Sequence, residues 1–211
     1  NKEIAAVAER IGLSRDRIVV LEDAPGEFGH VTSSTKLPIE PPRPWFLFPA
    51  SFSEDEPLRE LVGAAPDCAG GTILITGRPK SDEQRRMVAT APGNVVFLGF
   101  VPIDVFERYV VESDAVLALT KLVDVQLSAC NEAVGAGKPL ITSDTPTLRS
   151  MFEGSGALFV DWRDTASIAR AINVMAVSLP KLELQMRAFR EFRAKQWHQE
   201  QASVVTGRLL R

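Results

Sequence analysis

The sequence predicts an α/β protein built on a doubly wound, Rossmann-like sheet of six parallel strands. Six apolar runs of strand length recur from Trp45 onward: WFLFPA, TILIT, VVFLGF, AVLALT, PLIT and ALFV. Segments of helical character lie between these runs. Strands that are apolar throughout and alternate with helices are typical of a parallel sheet covered on both faces. Right-handed crossovers between such strands give the doubly wound arrangement.

The first 44 residues differ from the rest of the chain. Residues 2–11 predict a short helix, and residues 17–21 (RIVVL) predict a short strand. Residues 22–44 are rich in Pro, Gly, Ser and Thr, which favours a connecting segment. We therefore predict that residues 1–44 are the end of a preceding domain and a linker. The first residue is Asn rather than Met, which suggests a piece of a longer protein.

Residues 45–179 form the predicted sheet domain, and residues 180–211 form a separate, long closing helix. The helices predicted between the strands lie near 55–65, 81–90, 103–112, 126–136, 145–152 and 164–178. The closing helix is predicted to begin at about Pro180, after the helix near 164–178 has ended. The apolar residues expected on or near one side of that helix are Leu184, Phe189, Phe192 and Trp197.

Composition excludes several classes of function. The chain has 211 residues, of which 45% are hydrophobic, so it can bury a sizeable core. Its 24 basic and 27 acidic side chains give a net charge of -3, which offers no general attraction for nucleic acid or anionic membrane. We see no signal peptide or membrane-spanning run and expect a cytoplasmic protein with free thiols at Cys68 and Cys130. His30 and His198 have no Cys partners at ligand spacing, so we expect no metal site.

The sequence lacks two familiar phosphate-binding motifs, the dinucleotide-binding fingerprint and the phosphate loop. The sequence PASFSEDEP follows the first strand in place of Gly-x-Gly-x-x-Gly, which argues against NAD or FAD. The run Gly-Ala-Gly-Lys-Pro at residues 135–139 ends a helix and enters a strand, whereas a phosphate loop does the reverse. We interpret Gly135 and Gly137 as helix-ending residues and Pro139 as the start of a strand.

The helix before that run predicts a ligand site. If it begins near Val125, the free amides of Gln126, Leu127 and Ser128 point into the crevice where such sheets bind ligands. Asp124 and Glu132 then flank these amides, with backbones about 12 Å apart at ~1.5 Å per residue. That spacing suits a nucleoside diphosphate-sugar. Asp124 as a helix N-cap and Glu132 as a solvated side chain remain the alternatives.

The run NEAVGAGKPLITSDTPTLRSMFEGSGALFV resembles the C-terminal, donor-binding domain of GT-B-type retaining glycosyltransferases. The resemblance is to the group 1, family 4-like enzymes, and to a bacterial branch associated with polysaccharides. Their pattern is Glu-x7-Glu followed by Ala, a small-residue turn and Gly-x-Pro. Asp124, Glu132, Ala133, Gly137 and Pro139 take these positions here. The similarity extends through NVVFLGFVPIDVFERYVVESDAVLALT and FVDWRDTASIARAI, so that it covers roughly residues 45–178.

The resemblance implies roles for individual residues. Glu132 is expected to hydrogen-bond the donor ribose, and Asp124 is expected to act in catalysis by contacting the transferred sugar. The backbone around Phe100 and Val101 is expected to meet the nucleobase. The remaining donor-binding candidates are Gln126, Leu127, Ser128, Ser51 and Thr120.

The cations expected from the resemblance are not in place. In such enzymes positive groups, rather than a metal, stabilise the leaving diphosphate. The Arg and Lys expected after the first strand and in the next helix are not found, because Ser51 to Glu56 reads SFSEDE. Arg78 and Lys121 are candidate catalytic substitutes, and solvated surface charge is the alternative for each.

The resemblance therefore implies the donor half of a hexose-transferring glycosyltransferase, which we expect to be inactive as a fragment. A nucleoside diphosphate-sugar is the expected donor substrate, and no cofactor is expected. A sugar or lipid-linked acceptor would be held by a missing N-terminal domain, which would also make any peripheral membrane contact. Two alternatives remain: a nucleotide-sugar epimerase, and a domain kept for nucleotide binding or assembly without catalysis, which the missing cations favour.

Overall fold

The computed structural model describes residues 2–32, 34–201, 204 and 207, and it confirms the predicted fold class. Within these ranges six strands form one sheet in the order β3-β2-β1-β4-β5-β6, and every neighbouring pair is parallel. The strands are β1 (Trp45–Phe48), β2 (Thr72–Thr76), β3 (Val95–Gly99), β4 (Ala115–Ala118), β5 (Leu140–Ser143) and β6 (Leu158–Val160).

Helices connect the strands in the predicted order. They are α1 (Lys2–Arg10), α2 (Leu58–Ala64), α3 (Asp82–Ala89), α4 (Ile103–Glu112), α5 (Ser128–Ala136), α6 (Pro146–Phe152) and α7 (Thr165–Gln196). Short turns of 3-10 helix lie at Arg15–Arg17 and Ala65–Asp67, and a π-helical turn follows α7 at Trp197–Gln201. Helices α3 and α6 each begin with a side-chain cap that can be recognised in the sequence. Ser81 and Gln84 form a capping box for α3, and Thr145 caps α6.

Both faces of the sheet are covered, as continuous apolar strands require. Every residue of β1 is buried, and its side chains alternate between two core clusters. Phe46 and Phe48 belong to the cluster that packs against α2 and α7. Trp45 and Leu47 belong to the cluster on the other face, with Tyr109 of α4. No helix within the described ranges has the length and apolar character needed to cross a membrane.

The two cysteines are free, which confirms the prediction. Burial raises the pKa of Cys130 to about 12, and burial together with the charge of Asp67 raises that of Cys68 to about 11. Both thiols therefore stay protonated at neutral pH and are poor nucleophiles.

The strand predicted at residues 17–21 is wrong. Arg15–Arg17 form a turn of 3-10 helix, and the chain then runs without regular structure. A short apolar run becomes a strand only when a neighbour completes its ladder of hydrogen bonds. This run has no such neighbour in the described sheet.

The break predicted at Pro180 is also wrong. A single 32-residue helix, α7, continues through it. Proline inside a helix costs about 3 kcal/mol, but buried side chains lie on both sides of it. Ile172 and Met175 precede Pro180, and Leu182 and Met186 follow it. Their packing holds the helix together, so the proposed boundary between residues 179 and 180 falls inside α7, and the division into domains stays a prediction.

The second half of α7 is the predicted closing helix, but its packed side differs from the prediction. Phe189 packs against the core cluster of α5 and α6. Leu184 and Phe192 are 71% and 59% exposed and do not contribute to that side. The indole of Trp197 donates a hydrogen bond to the carbonyl of Glu22 at 3.2 Å. Residues 202, 203, 205, 206 and 208–211 of the predicted helix lie outside the described ranges.

The linker lies against the sheet domain. The amide of Gly26 donates to the carbonyl of Asn131 in α5 at 2.8 Å. The guanidinium of Arg193 in α7 pairs with the carboxylate of Glu22 at 2.5 Å, and both side chains are largely buried. The linker therefore contacts the helix on which the sequence predicts the ligand site.

Candidate functional site

A cavity of about 370 Å³ opens at the carboxyl ends of β1 and β4. These strands are neighbours in the middle of the sheet, although β2 and β3 lie between them in sequence. The chain therefore reverses its direction of winding between them, and ligands bind at such a point in open α/β sheets. The loop after β1 and the start of α5 form its walls. We call it the switch-point cavity.

Helix α5 begins at Ser128, three residues later than predicted. Leu127 is the N-cap residue and has an extended backbone, which lets its side chain pack against the core cluster of α5 and α6. Its carbonyl accepts the amide of Cys130 at 3.0 Å. Because the amide of Cys130 is bonded in this way, the amides of Ser128 and Ala129 are the ones in the first turn that have no acceptor within the helix. Both residues line the cavity. Gln126 lies outside the helix.

The opposite wall is the loop after β1, which is closed by Glu56. The carboxylate of Glu56 accepts hydrogen bonds from the amide of Ser51 at 2.9 Å, the hydroxyl of Ser51 at 2.9 Å and the amide of Ser53 at 3.2 Å. Sequence reasoning noted only that this segment carries acids in place of cations. It did not identify Glu56, because the fold of the loop back onto Ser51 leaves no mark in the sequence.

Glu132, one turn into α5, lines the switch-point cavity, as does Phe106 of α4. Burial raises its pKa, and the nearby charge of Glu107 raises it further. The carboxylate is therefore held in a setting that disfavours its charge unless a ligand satisfies it.

Glu107 of α4 is in turn bound by the linker. The Nδ1 atom of His30 lies 2.6 Å from one carboxylate oxygen, and the amide of His30 donates to the other at 2.8 Å. Burial would raise the pKa of Glu107, but the hydrogen bonds from His30 outweigh it and hold the pKa below its ordinary value. Sequence reasoning considered His30 only as a metal ligand and missed this pair, which joins residues 77 positions apart.

Four of the predicted donor-binding residues line the switch-point cavity: Ser51, Leu127, Ser128 and Glu132. Asp124 is exposed in the loop before α5 and is not among the lining residues. The 12 Å spacing to Glu132 assumed a helix between them, so it no longer applies. Gln126 is half-buried, and its side-chain oxygen has no hydrogen-bond partner among the described residues.

The other donor-binding candidates lie apart from the cavity. Phe100 follows β3 and is 71% exposed, and Val101 packs against the core cluster that contains Trp45. Thr120 is buried, and its hydroxyl accepts the amide of Leu122 at 3.1 Å. Its backbone amide and carbonyl both bond the hydroxyl of Ser143, so Thr120 fixes the end of β4 against β5.

Neither candidate cation lines the cavity. The guanidinium of Arg78 lies over the ring of Phe100, 5.5 Å from its centre. Lys121 donates from Nζ to the carbonyl of Glu54 at 2.9 Å and lies 5.8 Å from the ring centre of Trp162. The described residues also hold no cluster of three His, Cys, Asp or Glu side chains suited to a metal ion.

A larger cavity of about 910 Å³ adjoins the first, between α2 and α3. Glu56 lines both. The larger one, here called the α2–α3 cavity, contains Lys80 and Lys121 and the ion pair of Arg59 with Glu83. Its lining contains loop residues that follow β1 and β4 but no described residue of the strands themselves, whereas Phe48 and Ala118 at the strand ends line the switch-point cavity.

Gly135 has a different role from the one predicted. Helix α5 ends at Ala136, and Gly137 is its left-handed cap at φ 67°, which confirms that Gly137 ends the helix. Gly135 lies inside the helix, where a Cβ atom would come within 2.0 Å of the carbonyl oxygen of Gly26. Its hydrogen side chain lets the linker touch α5.

Comparisons with known proteins agree with the fold. The model of the family described as "Glycosyl transferases group 1" matches residues 43–176. No curated protein has a significant match to the chain. Among solved structures, Anabaena Alr3699/HepE in complex with UDP and glucose has a TM-score of 0.62 and 17% identity, over 76% of this chain and 48% of that one.

Two further structures are similar. Sucrose-phosphate synthase (tll1590) from Thermosynechococcus elongatus has a TM-score of 0.73 and 18% identity, over 97% of this chain and 55% of that one. The pneumococcal O-GlcNAc transferase GtfA, in complex with UDP and GlcNAc, has a TM-score of 0.58 and 15% identity, over 92% and 39%. At these identities the likeness shows the fold. The chain spans about half of the length of the first two structures.

Proposed function

Because the chain belongs to the family of group 1 glycosyl transferases, we propose that it is the donor-binding half of a glycosyltransferase that takes sugar from a nucleoside diphosphate-sugar. The observation that carries the proposal is the switch-point cavity. It brings the predicted ribose ligand Glu132 and the free first-turn amides of α5 to one place, at the carboxyl ends of β1 and β4.

The proposed arrangement follows from the chemistry of that cavity. The donor diphosphate lies against the amides of Ser128 and Ala129, where the positive end of the helix dipole favours an anion. The ribose hydroxyls donate to Glu132, which satisfies a carboxylate whose pKa is raised by burial. The transferred sugar extends toward Asp124, and the base extends toward the backbone of Phe100 and Val101.

The remaining parts of the reaction are proposed from the family alone. A hexose passes to a sugar or lipid-linked acceptor that another domain holds, in the cytoplasm, with at most peripheral membrane contact. Arg78 or Lys121 stabilises the leaving diphosphate once the loop that carries it has moved toward the cavity. UDP is the first nucleotide to test, because it is bound in the structures of HepE and GtfA.

One observation favours a second candidate function. The charged residues that line the switch-point cavity in the described structure are Asp55, Glu56 and Glu132, with no Lys or Arg. A domain that binds nucleotide without transferring sugar needs no cation to stabilise a leaving diphosphate. Sugar transfer by a protein that contains this chain, and its loss on substitution of Asp124, would exclude that candidate.

Calorimetric titration of the chain with UDP, GDP and ADP tests the proposal. We expect one of these nucleotides to bind at a single site with a dissociation constant of roughly micromolar to millimolar size. Uridine, guanosine or adenosine alone should bind more weakly, because the phosphates contribute through the amides of α5. Absence of binding by all three nucleotides would contradict the assignment of this chain to donor binding.

A further inference from the structure

We propose that the carboxylate of Glu56 occupies an anion cradle at the border between the switch-point cavity and the α2–α3 cavity, and that it competes there with the phosphates of an incoming nucleotide. The inference rests on the proposed function, because it concerns the same cavity. It makes Glu56 the residue that sets how tightly a nucleoside diphosphate binds.

The geometry of the cradle is that of an anion site. Two backbone amides, from Ser51 and Ser53, and one hydroxyl, from Ser51, converge on the carboxylate of Glu56. Backbone amides that point into one concavity are a common way to bind phosphate. Here the protein supplies the anion itself, from a side chain five residues farther along the same loop.

The charges around the cradle oppose a second anion. Asp55, Glu56 and Glu132 line the cavity, and the described residues place no cationic side chain in its wall. Lys121, which follows β4, binds the loop through backbone carbonyls: its amide donates to the carbonyl of Asp55 and its Nζ to that of Glu54. A diphosphate on the α5 amides would therefore face carboxylates across the cavity.

A second position for Glu56 follows from its place between the two cavities. Its side chain forms part of the wall between the switch-point cavity and the α2–α3 cavity. The second of these has three cationic side chains in its lining, Arg59, Lys80 and Lys121, together with the acids Glu54, Glu60 and Glu83. A rotation of Glu56 out of the cradle would free the amides of Ser51 and Ser53 for phosphate and bring its carboxylate toward cations. Nucleotide binding and the displacement of Glu56 from the cradle are then coupled, because each requires the other.

The test compares Glu56→Gln with Glu54→Gln. Both remove one charge from the same loop, but the carboxylate of Glu54 does not line the switch-point cavity. In calorimetry with UDP and with uridine, Glu56→Gln should bind UDP roughly tenfold more tightly than the unsubstituted chain, because a like charge is removed. Uridine affinity should be unchanged, and Glu54→Gln should match the unsubstituted chain with both ligands.

A second measurement needs no variant. In the unsubstituted chain the affinity for UDP should rise as salt is added up to about 0.15 M, because screening weakens the repulsion among carboxylates and phosphates. Equal or weaker UDP binding by Glu56→Gln, or a UDP affinity that falls with salt, would overturn the inference and leave the proposed function in place. If UDP, GDP and ADP all fail to bind to any of these chains, the proposed function fails together with it.

Discussion

Replacing Gly135 with Ala should destabilise the folded chain by about 2–3 kcal/mol, although the same change inside a helix normally stabilises. The new Cβ atom would lie 2.0 Å from the carbonyl oxygen and 2.5 Å from the amide nitrogen of Gly26. Backbone atoms cannot rotate away as a side chain does, so either α5 or the linker must move. The bond from Gly26 to Asn131 would be lost with that movement. Denaturant unfolding measures the change.

Gly63→Ala is the matched control. Gly63 also lies inside a helix, α2, but its Cβ atom would meet only the side chain of Thr165 at the ordinary distance of 3.5 Å. We expect this variant to gain about 0.5–1 kcal/mol. If Gly135→Ala gains stability as Gly63→Ala does, the linker does not lie on α5 as the structure shows it.

Replacing Glu132 with Ala should weaken the binding of the preferred nucleotide by about 10- to 100-fold. The variant loses hydrogen bonds from the ribose hydroxyls to a carboxylate, and bonds to charged groups contribute about 1.5–3 kcal/mol each. Glu153→Ala is the control, because Glu153 is an exposed acid at the end of α6. Calorimetry with both variants measures the effect. If Glu132→Ala and Glu153→Ala bind the nucleotide with equal affinity, Glu132 is not part of the donor site.

A companion variant, Glu132→Gln, tests whether a change at residue 132 weakens nucleotide binding without lowering the stability of the fold. Burial and the charge of Glu107 raise the pKa of Glu132 in the folded chain above its ordinary value of 4.5. The folded state then binds the proton more tightly than the unfolded state, so the charge destabilises the fold above the unfolded pKa and has no effect below it. Glu132→Gln should therefore raise the free energy of unfolding at neutral pH and leave it nearly unchanged near pH ~4. A loss of stability at neutral pH would contradict a raised pKa of Glu132 in the folded chain.

The sheet could be predicted from the sequence because its strands are buried on both faces. Runs such as TILIT are apolar throughout, so they are easy to recognise in the sequence. Each of the six runs forms a strand whose ends lie within one or two residues of the expected ends. Local caps also fixed the start of α3 through Ser81 and Gln84. Both features depend on residues that are close together in the sequence, so the sequence alone is enough to predict them.

The features that the sequence did not predict depend on contacts between distant segments. The continuity of α7 through Pro180 comes from core packing on both sides, and the need for Gly at residue 135 comes from the linker. The start of α5 shifted because Leu127 packs inward instead of beginning a turn. The pairs of His30 with Glu107 and of Glu56 with Ser51 likewise depend on how loops fold back, which has no periodic signal.

The same distinction applies to the candidate site. The Asp-x7-Glu spacing pointed to Glu132, and the structure places that residue in the wall of the switch-point cavity. Asp124 lies in the loop before α5, outside that wall, because the helix begins later than the spacing assumed. Loop residues such as Asp124, Arg78 and Lys121 are positioned by contacts that a ligand itself can alter, so their roles stay predictions.

A crystal structure of the chain with its preferred nucleoside diphosphate would show where the donor binds. We predict that the nucleotide lies in the switch-point cavity, with phosphate oxygens within about 3 Å of the amides of Ser128 and Ala129 and the ribose hydroxyls on Glu132. A nucleotide bound instead in the α2–α3 cavity, or away from the carboxyl ends of β1 and β4, would contradict it.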